Sequence, residues 1–202
     1  MLSHMMGRIQ NGAMFATMNG CEPMLYLTVS GHPGSGTSTL VKGLMNRFDW
    51  TSLNGGDVFR AEAKRRKMSL SDFGRLCQEE LDVDRSLDAL LKERMQSQSA
   101  ANIVESRLAG WWAYRLNMPC LRIWLDVDDE ERARRVVNRE AITVNEALEA
   151  NALRSKVDGE RFMELYGILP EDEEPYTHVI SATNLNADEI LEAVVVLLEA
   201  TL

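Results

Sequence analysis

The chain has 202 residues, 45% apolar and 26% charged, with 22 Lys and Arg against 31 Asp and Glu for a net charge of -9. This fits one globular domain with a sizeable core, and the acidic balance argues against partners such as a nucleic-acid backbone or an anionic membrane. No run of about 18 apolar residues marks a membrane span. Cys21, Cys77 and Cys120 are too scattered for a CxxC zinc or redox site, so a reducing, cytoplasmic compartment is expected.

Residues 1–23 hold five of the eleven methionines, and their only formal charges are Arg8 and Glu22. They lack the features of a secretory or transit signal. They read as a disordered leader, with Met24 as an alternative start. From Met24 onward short apolar runs alternate with helical stretches, so 24–202 reads as one domain. The strands are Met24–Ser30, a weak Thr51–Leu53, Asn102–Glu105, Cys120–Asp126 and Thr177–Ser181. The helices are predicted over 38–48, 57–67, 70–97, 129–139, 144–166 and 187–200. Thr143 with Glu146, and Asn186 with Glu189, have the spacing of capping boxes. Strand–helix alternation predicts an α/β sandwich, a parallel sheet covered on both faces. The acidic stretch Glu171–Glu174 reads as a solvated loop.

The first strand runs into Gly31-His-Pro-Gly34-Ser35-Gly36-Thr37-Ser38-Thr39 and then an amphipathic helix. That context and the G-x4-G-x-S spacing are those of a P-loop. Its backbone N–H groups form a nest for phosphate at a helix N-terminus, and Ser38 stands where a hydroxyl meets magnesium. The lysine expected at position 37 is replaced by Thr37. Losing one such contact costs on the order of 3 kcal/mol of transition-state stabilisation. Lys42, a turn and a half into the helix, is badly placed to substitute.

Either arginines elsewhere supply the charge, or the site binds nucleotide without efficient chemistry. Asp57-Val-Phe-Arg60 opens the next helix, where Arg60 can pair with an acceptor phosphate or be a surface charge. The third strand ends at Glu105, a Walker-B-like carboxylate, and leads to Arg107 and Gly110. Ligands of open parallel sheets bind beyond the strand carboxyl ends, which favours Arg107 as a phosphate contact. Trp111 and Trp112 read as packing. Arg132, Arg135 and Arg139 share one face of the helix after Asp126, open to reading as a phosphate clamp or a salt-bridged surface. Arg154, Asp158 and Arg161 form one stripe on the long helix. Such a set suits phosphoryl transfer to a phosphate acceptor, which is already ionised and needs no general base.

These residues resemble the cytidylate kinases, particularly the short archaeal type. The matching stretches are GHPGSGTST, DVFR, VESRLAGWW, IWLDVDDEERARR and LRSKVDGERFMELYGI, so the likeness spans everything beyond the leader. The resemblance implies a P-loop NTPase three-layer sandwich with five parallel strands in the order 2-3-1-4-5. It also implies a monophosphate-binding part at about 55–97 and a short lid at about 139–145. It implies ATP, with magnesium at Ser38 and Glu105, and CMP or dCMP as substrates of a monomeric enzyme. Gly31, Gly34, Ser35, Gly36, Thr37, Ser38 and Thr39 would hold the ATP phosphates. Asp57, Arg60, Arg107, Gly110, Asp126, Arg154, Asp158 and Arg161 would hold CMP. Arg107, Arg135, Arg139 and Arg161 would be catalytic. Thr37 and Ser106 depart from the family pattern, where a lysine and a glycine are usual. The rival readings are a nucleotide-binding protein without efficient transfer, marked by Thr37, and a kinase for another small acceptor.

Overall fold

The computed structural model describes residues 25–97 and 101–201, the side chains of Ser71, Gln78, Asn138, Arg139 and Glu140 excepted. The expected leader lies outside the described residues. In chain order the elements are β1 (Leu27–Gly31), α1 (Thr37–Phe48), β2 (Ser52–Asn54), α2 (Gly55–Arg65), α3 (Leu70–Glu79), α4 (Leu81–Gln96), β3 (Ile103–Glu105), α5 (Ala109–Arg115), β4 (Leu121–Asp126), α6 (Asp129–Glu140), α7 (Val144–Tyr166), β5 (His178–Ser181) and α8 (Ala187–Glu199).

The five strands are all parallel, in the order β2-β3-β1-β4-β5, as the resemblance implies. Alternation along each strand separates the two faces. Leu27 and Val29 of β1, with Ile123 and Leu125 of β4, pack against Leu40, Leu44, Val194 and Leu198 of α1 and α8. On the opposite face Val104 joins Trp111, Trp112, Leu91, Met95 and Phe162 from α5, α4 and α7. Each such fully buried side chain contributes roughly 1.5–3 kcal/mol, so the sheet holds both helical layers in place. Thr143 and Asn186 form complete capping boxes with Glu146 and Glu189, which fixes where α7 and α8 begin.

Two expectations are corrected. The stretch 70–97 is two helices, because Glu80 is extended (φ -124°, ψ 89°) and turns the chain between α3 and α4. No glycine or proline marks that break in the sequence. The short helix α5 was not predicted: it is seven residues, and Ala109 to Ala113 are all buried, so no amphipathic period exists to read. Trp111 and Trp112 are core residues, as expected.

Gly110 carries a packing role. A Cβ there would lie 2.3 Å from Cε1 of the buried Tyr176 ring, and its N–H bonds Ser30 Oγ at 3.3 Å. Tyr176 is in turn held by the Pro170 carbonyl. Gly110→Ala is therefore expected to lose about 2 kcal/mol or more of stability through overpacking, measured as a lowered urea midpoint.

Candidate active site

The strand carboxyl ends gather the chemistry on one edge of the sheet. Beyond β1, Gly34 and Gly36 adopt φ of +88° and +95°, a conformation that side chains rarely take. A Cβ on Gly34 would also meet the Arg132 carbonyl oxygen at 2.7 Å. Gly36 caps α1 without a side-chain bond, and no acidic residue occupies the first turn. Helix-start N–H groups at Thr37 to Thr39 are the ingredients of an anion site.

Two α6 arginines brace the loop from outside. Arg132 donates from Nη1 to Pro33 O at 3.1 Å and also pairs with Asp129. Arg135 donates to Ser35 O at 2.8 Å, Ala182 O at 2.8 Å and Leu185 O at 3.3 Å, and its Nε meets Glu131 at 3.0 Å. These partners make Arg135 a brace of the loop, beside Gly36. The Arg139 side chain lies outside the described residues. The helix α6 and α7 are joined by residues 141–143 only, with Ala141 left-handed at φ +54°.

Glu105 is the hub of the phosphate end. Its Oε1 accepts from Thr37 Oγ1 at 2.7 Å and Ser38 Oγ at 2.6 Å, and its Oε2 accepts from Asn54 Nδ2 at 2.6 Å. Ser38 and Glu105, the two residues expected from the sequence to hold a metal, are in direct contact. Thr37 turns its hydroxyl to the same carboxylate. Among the described residues there is no cluster of three His, Cys, Asp or Glu that could hold a metal. One hydroxyl and one carboxylate suit magnesium, which keeps several waters and leans on substrate phosphates.

The second group lies on the other side of β3. Arg107 Nε stands 2.6 Å from Asp158 Oδ2. Arg161 bonds the other oxygen of Asp158 at 3.1 Å and meets Asp84 Oδ2 through Nε at 2.8 Å. The array Arg107–Asp158–Arg161–Asp84 alternates in sign, as burial of four charges requires. Burial, ahead of the nearby charges, pushes the Arg107 guanidinium down to about 10. Arg154 is exposed, makes no ion pair among the described residues, and is close enough to act on Arg107.

Other predicted residues stand apart from this array. Asp57 and Arg60 pair with each other at 2.6 Å on the exposed first turn of α2. Asp126 ends β4 one residue past the Leu125–Gly31 register pair, with an exposed side chain beside the P-loop and not among the arginines. The acidic stretch is exposed yet anchored: Glu171 lies 3.9 Å from His32 of the P-loop, and Glu174 accepts from Tyr114 at 3.1 Å.

The comparisons agree with this geometry. A family model described as an AAA domain matches residues 30–147. The cytidylate kinase of Thermococcus kodakarensis is 36% identical over 87% of this chain and 86% of its own. That of Methanocorpusculum labreanum is 34% identical over 83% and 93%. The chain belongs to the cytidylate kinase family. Among solved structures, a gluconokinase from Sinorhizobium meliloti superposes with a TM-score of 0.56 at 16% identity, covering 87% of this chain and 92% of its own. A protein from Eubacterium ventriosum gives 0.68 at 13%, covering 88% and 99%. These two show the fold alone.

Sequence reasoning missed Asp84, Asn54 and Asp88. The signal for the carboxylates was the i,i+4 pair Asp84 and Asp88 on α4, which reads equally as solvated surface. Asp88 accepts from Tyr166 Oη at 2.7 Å and Trp112 Nε1 at 3.3 Å, and burial raises its carboxyl to about 6. Its native pKa exceeds the unfolded one, so the folded chain holds a proton that the unfolded chain has released. The resulting stabilisation is complete below the usual aspartate range and is lost as pH rises through about 6. Asp88→Asn should remove that slope. The difference in urea midpoint, variant minus wild type, should rise between about pH 4 and pH 7.

Proposed function

We propose that this chain, as a cytidylate kinase family member, transfers the γ-phosphoryl group of ATP to CMP or dCMP. The carrying observation is the juxtaposition of two built sites at one sheet edge. A P-loop whose Ser38 touches Glu105 lies on one side of β3, and the Arg107–Asp158–Arg161–Asp84 array on the other. In the reaction an oxygen of the CMP phosphate forms the new bond to the γ-phosphorus. The bond from that phosphorus to the β–γ bridging oxygen breaks, and ADP leaves. The acceptor oxygen is already ionised, so positioning and charge neutralisation suffice.

The P-loop N–H groups between Gly31 and Thr39 cradle the ATP phosphates. Ser38 and Glu105 would hold the nucleotide's magnesium, which would supply charge neutralisation. Arg107, Arg161 and Arg154, which makes no ion pair among the described residues, take the acceptor phosphate. Asp158 keeps Arg107 and Arg161 in register and accepts from the ribose hydroxyls. Arg60 reaches the acceptor when the α2–α4 part (about 55–97) and the short lid (about 139–145) close over the substrates, a motion that excludes water. The enzyme works as a monomer.

The test offers ATP and magnesium with each of CMP, dCMP, UMP, AMP and GMP, and quantifies ADP and the diphosphate products. Turnover confined to CMP and dCMP is expected. ATP binding with no product from any acceptor would overturn the kinase reading. A second check is Arg154→Ala, which removes an exposed cation with no ion pair. The KM for CMP should rise about tenfold or more, with KM for ATP and the melting temperature unchanged. Equal loss toward both substrates would count against this assignment of the acceptor site.

A further inference from the structure

We propose that Asn54 is a positioning residue for Glu105, and that through it the acceptor site and the metal–nucleotide site are coupled; this rests on the kinase reading above. Asn54 is the last residue of β2 and lies in register with Glu105 at the end of β3. Its Oδ1 accepts from Gly56 N at 2.7 Å, capping α2, and its Nδ2 donates to Glu105 Oε2 at 2.6 Å. Only one orientation of the amide satisfies both bonds, because Gly56 offers a donor and Glu105 an acceptor.

The geometry makes one rigid plane serve two masters. Among the described residues, Asn54 supplies the only hydrogen bond to Glu105 Oε2. The opposite oxygen, Oε1, takes both P-loop hydroxyls. Losing the Asn54 donor frees this buried carboxylate to rotate away from Ser38. The same amide plane is fixed to the first turn of α2, the helix that carries Asp57 and Arg60. A movement of that turn as the acceptor binds must rotate the amide and with it Glu105. A second contact runs along the same path. A Cβ on Gly55 would meet Ser106 Cβ at 2.8 Å, so the start of α2 is seated on the residue between Glu105 and Arg107.

The experiment uses the full chain with ADP and CMP, a pair that forms no product, and Mn2+ as the paramagnetic probe. Mn2+ binding is followed by electron paramagnetic resonance with and without CMP. Asn54→Ser keeps an equally good cap, but its hydroxyl ends one bond short of Glu105, so its melting temperature should stay near wild type. Without CMP, its Mn2+ dissociation constant should rise about tenfold or more, the scale of one hydrogen bond to a charged group. In wild type CMP should tighten Mn2+ binding several-fold, and in Asn54→Ser that effect should vanish, since coupling between sites is reciprocal. An unchanged Mn2+ affinity in the variant overturns the positioning role. A wild type without the CMP effect, or a variant that retains it, overturns the coupling. If calorimetry shows that wild type binds no CMP, the kinase reading fails, while the Mn2+ comparison without CMP still judges Asn54. Should Asn54→Ser not fold, Asn54→Thr likewise keeps a hydroxyl cap without the amide donor and faces the same criteria.

Discussion

Glu105 takes three hydrogen bonds from the helix starts that follow its two neighbouring strands, and the site depends on that convergence. Thr37 and Ser38 begin the helix after β1, and Asn54 ends β2. In a parallel sheet adjacent strands end on the same edge, so a carboxylate at the end of the middle strand is the natural collector for donors from either side. Because Glu105 is only 8% exposed, its charge is held by these donors and not by water. The P-loop hydroxyl expected to meet the metal and the turn that launches α2 therefore have a common reference point. Any account of how donor and acceptor phosphates are brought together begins from it.

The acceptor side solves a different electrostatic problem. Two half-buried guanidinium groups on one side of the fold would repel each other if left unpaired. Asp158 stands between them, and Asp84 closes the far end, so the four side chains are neutral as a set. Arg107 Nε and Arg161 Nε stand at ion-pair distance from Asp158 and Asp84 without hydrogen-bond alignment, and Arg161 donates to Asp158 from Nη2. Arg154 adds an exposed charge that makes no ion pair among the described residues. This is how a chain with a net charge of -9 maintains a cleft suited to an anion.

The parallel sheet and the P-loop were legible in the sequence because they rest on local period and on glycine spacing, while the strand order came from the family resemblance. Ser38, Glu105 and Arg107 could each be singled out from the sequence, since strand ends and helix starts fix where such side chains emerge, but their contacts with one another and with Asp158 and Arg161 are seen only in the structure. The fate of the α6 arginines was not legible. Arg132 and Arg135 share the expected face, but that face packs on the P-loop carbonyls, and sequence spacing cannot tell a brace from a clamp. Asp84 and Asn54 were missed because their partners lie 77 and 51 residues away, on elements that meet only after the sheet forms. Glu80 breaks the helix with no glycine or proline, a tertiary decision made by how α3 and α4 pack around Phe73 and Val83.

Thr37 takes a new meaning in this setting. The usual lysine would place an ammonium within reach of Glu105, and a buried carboxylate beside a cation pairs with it before a solvated phosphate can. A threonine at that position donates a neutral hydrogen bond and leaves the full charge of Glu105 for the metal. The positive charge that the lysine would have brought is then distributed. In the proposed reaction it would come from the open N-terminus of α1, from the nucleotide's metal and from the arginines of α7, while Arg132 and Arg135 bind the loop carbonyls of Pro33 and Ser35. The substitution that seemed to weaken the loop is thus consistent with a site whose cations were moved to the acceptor side.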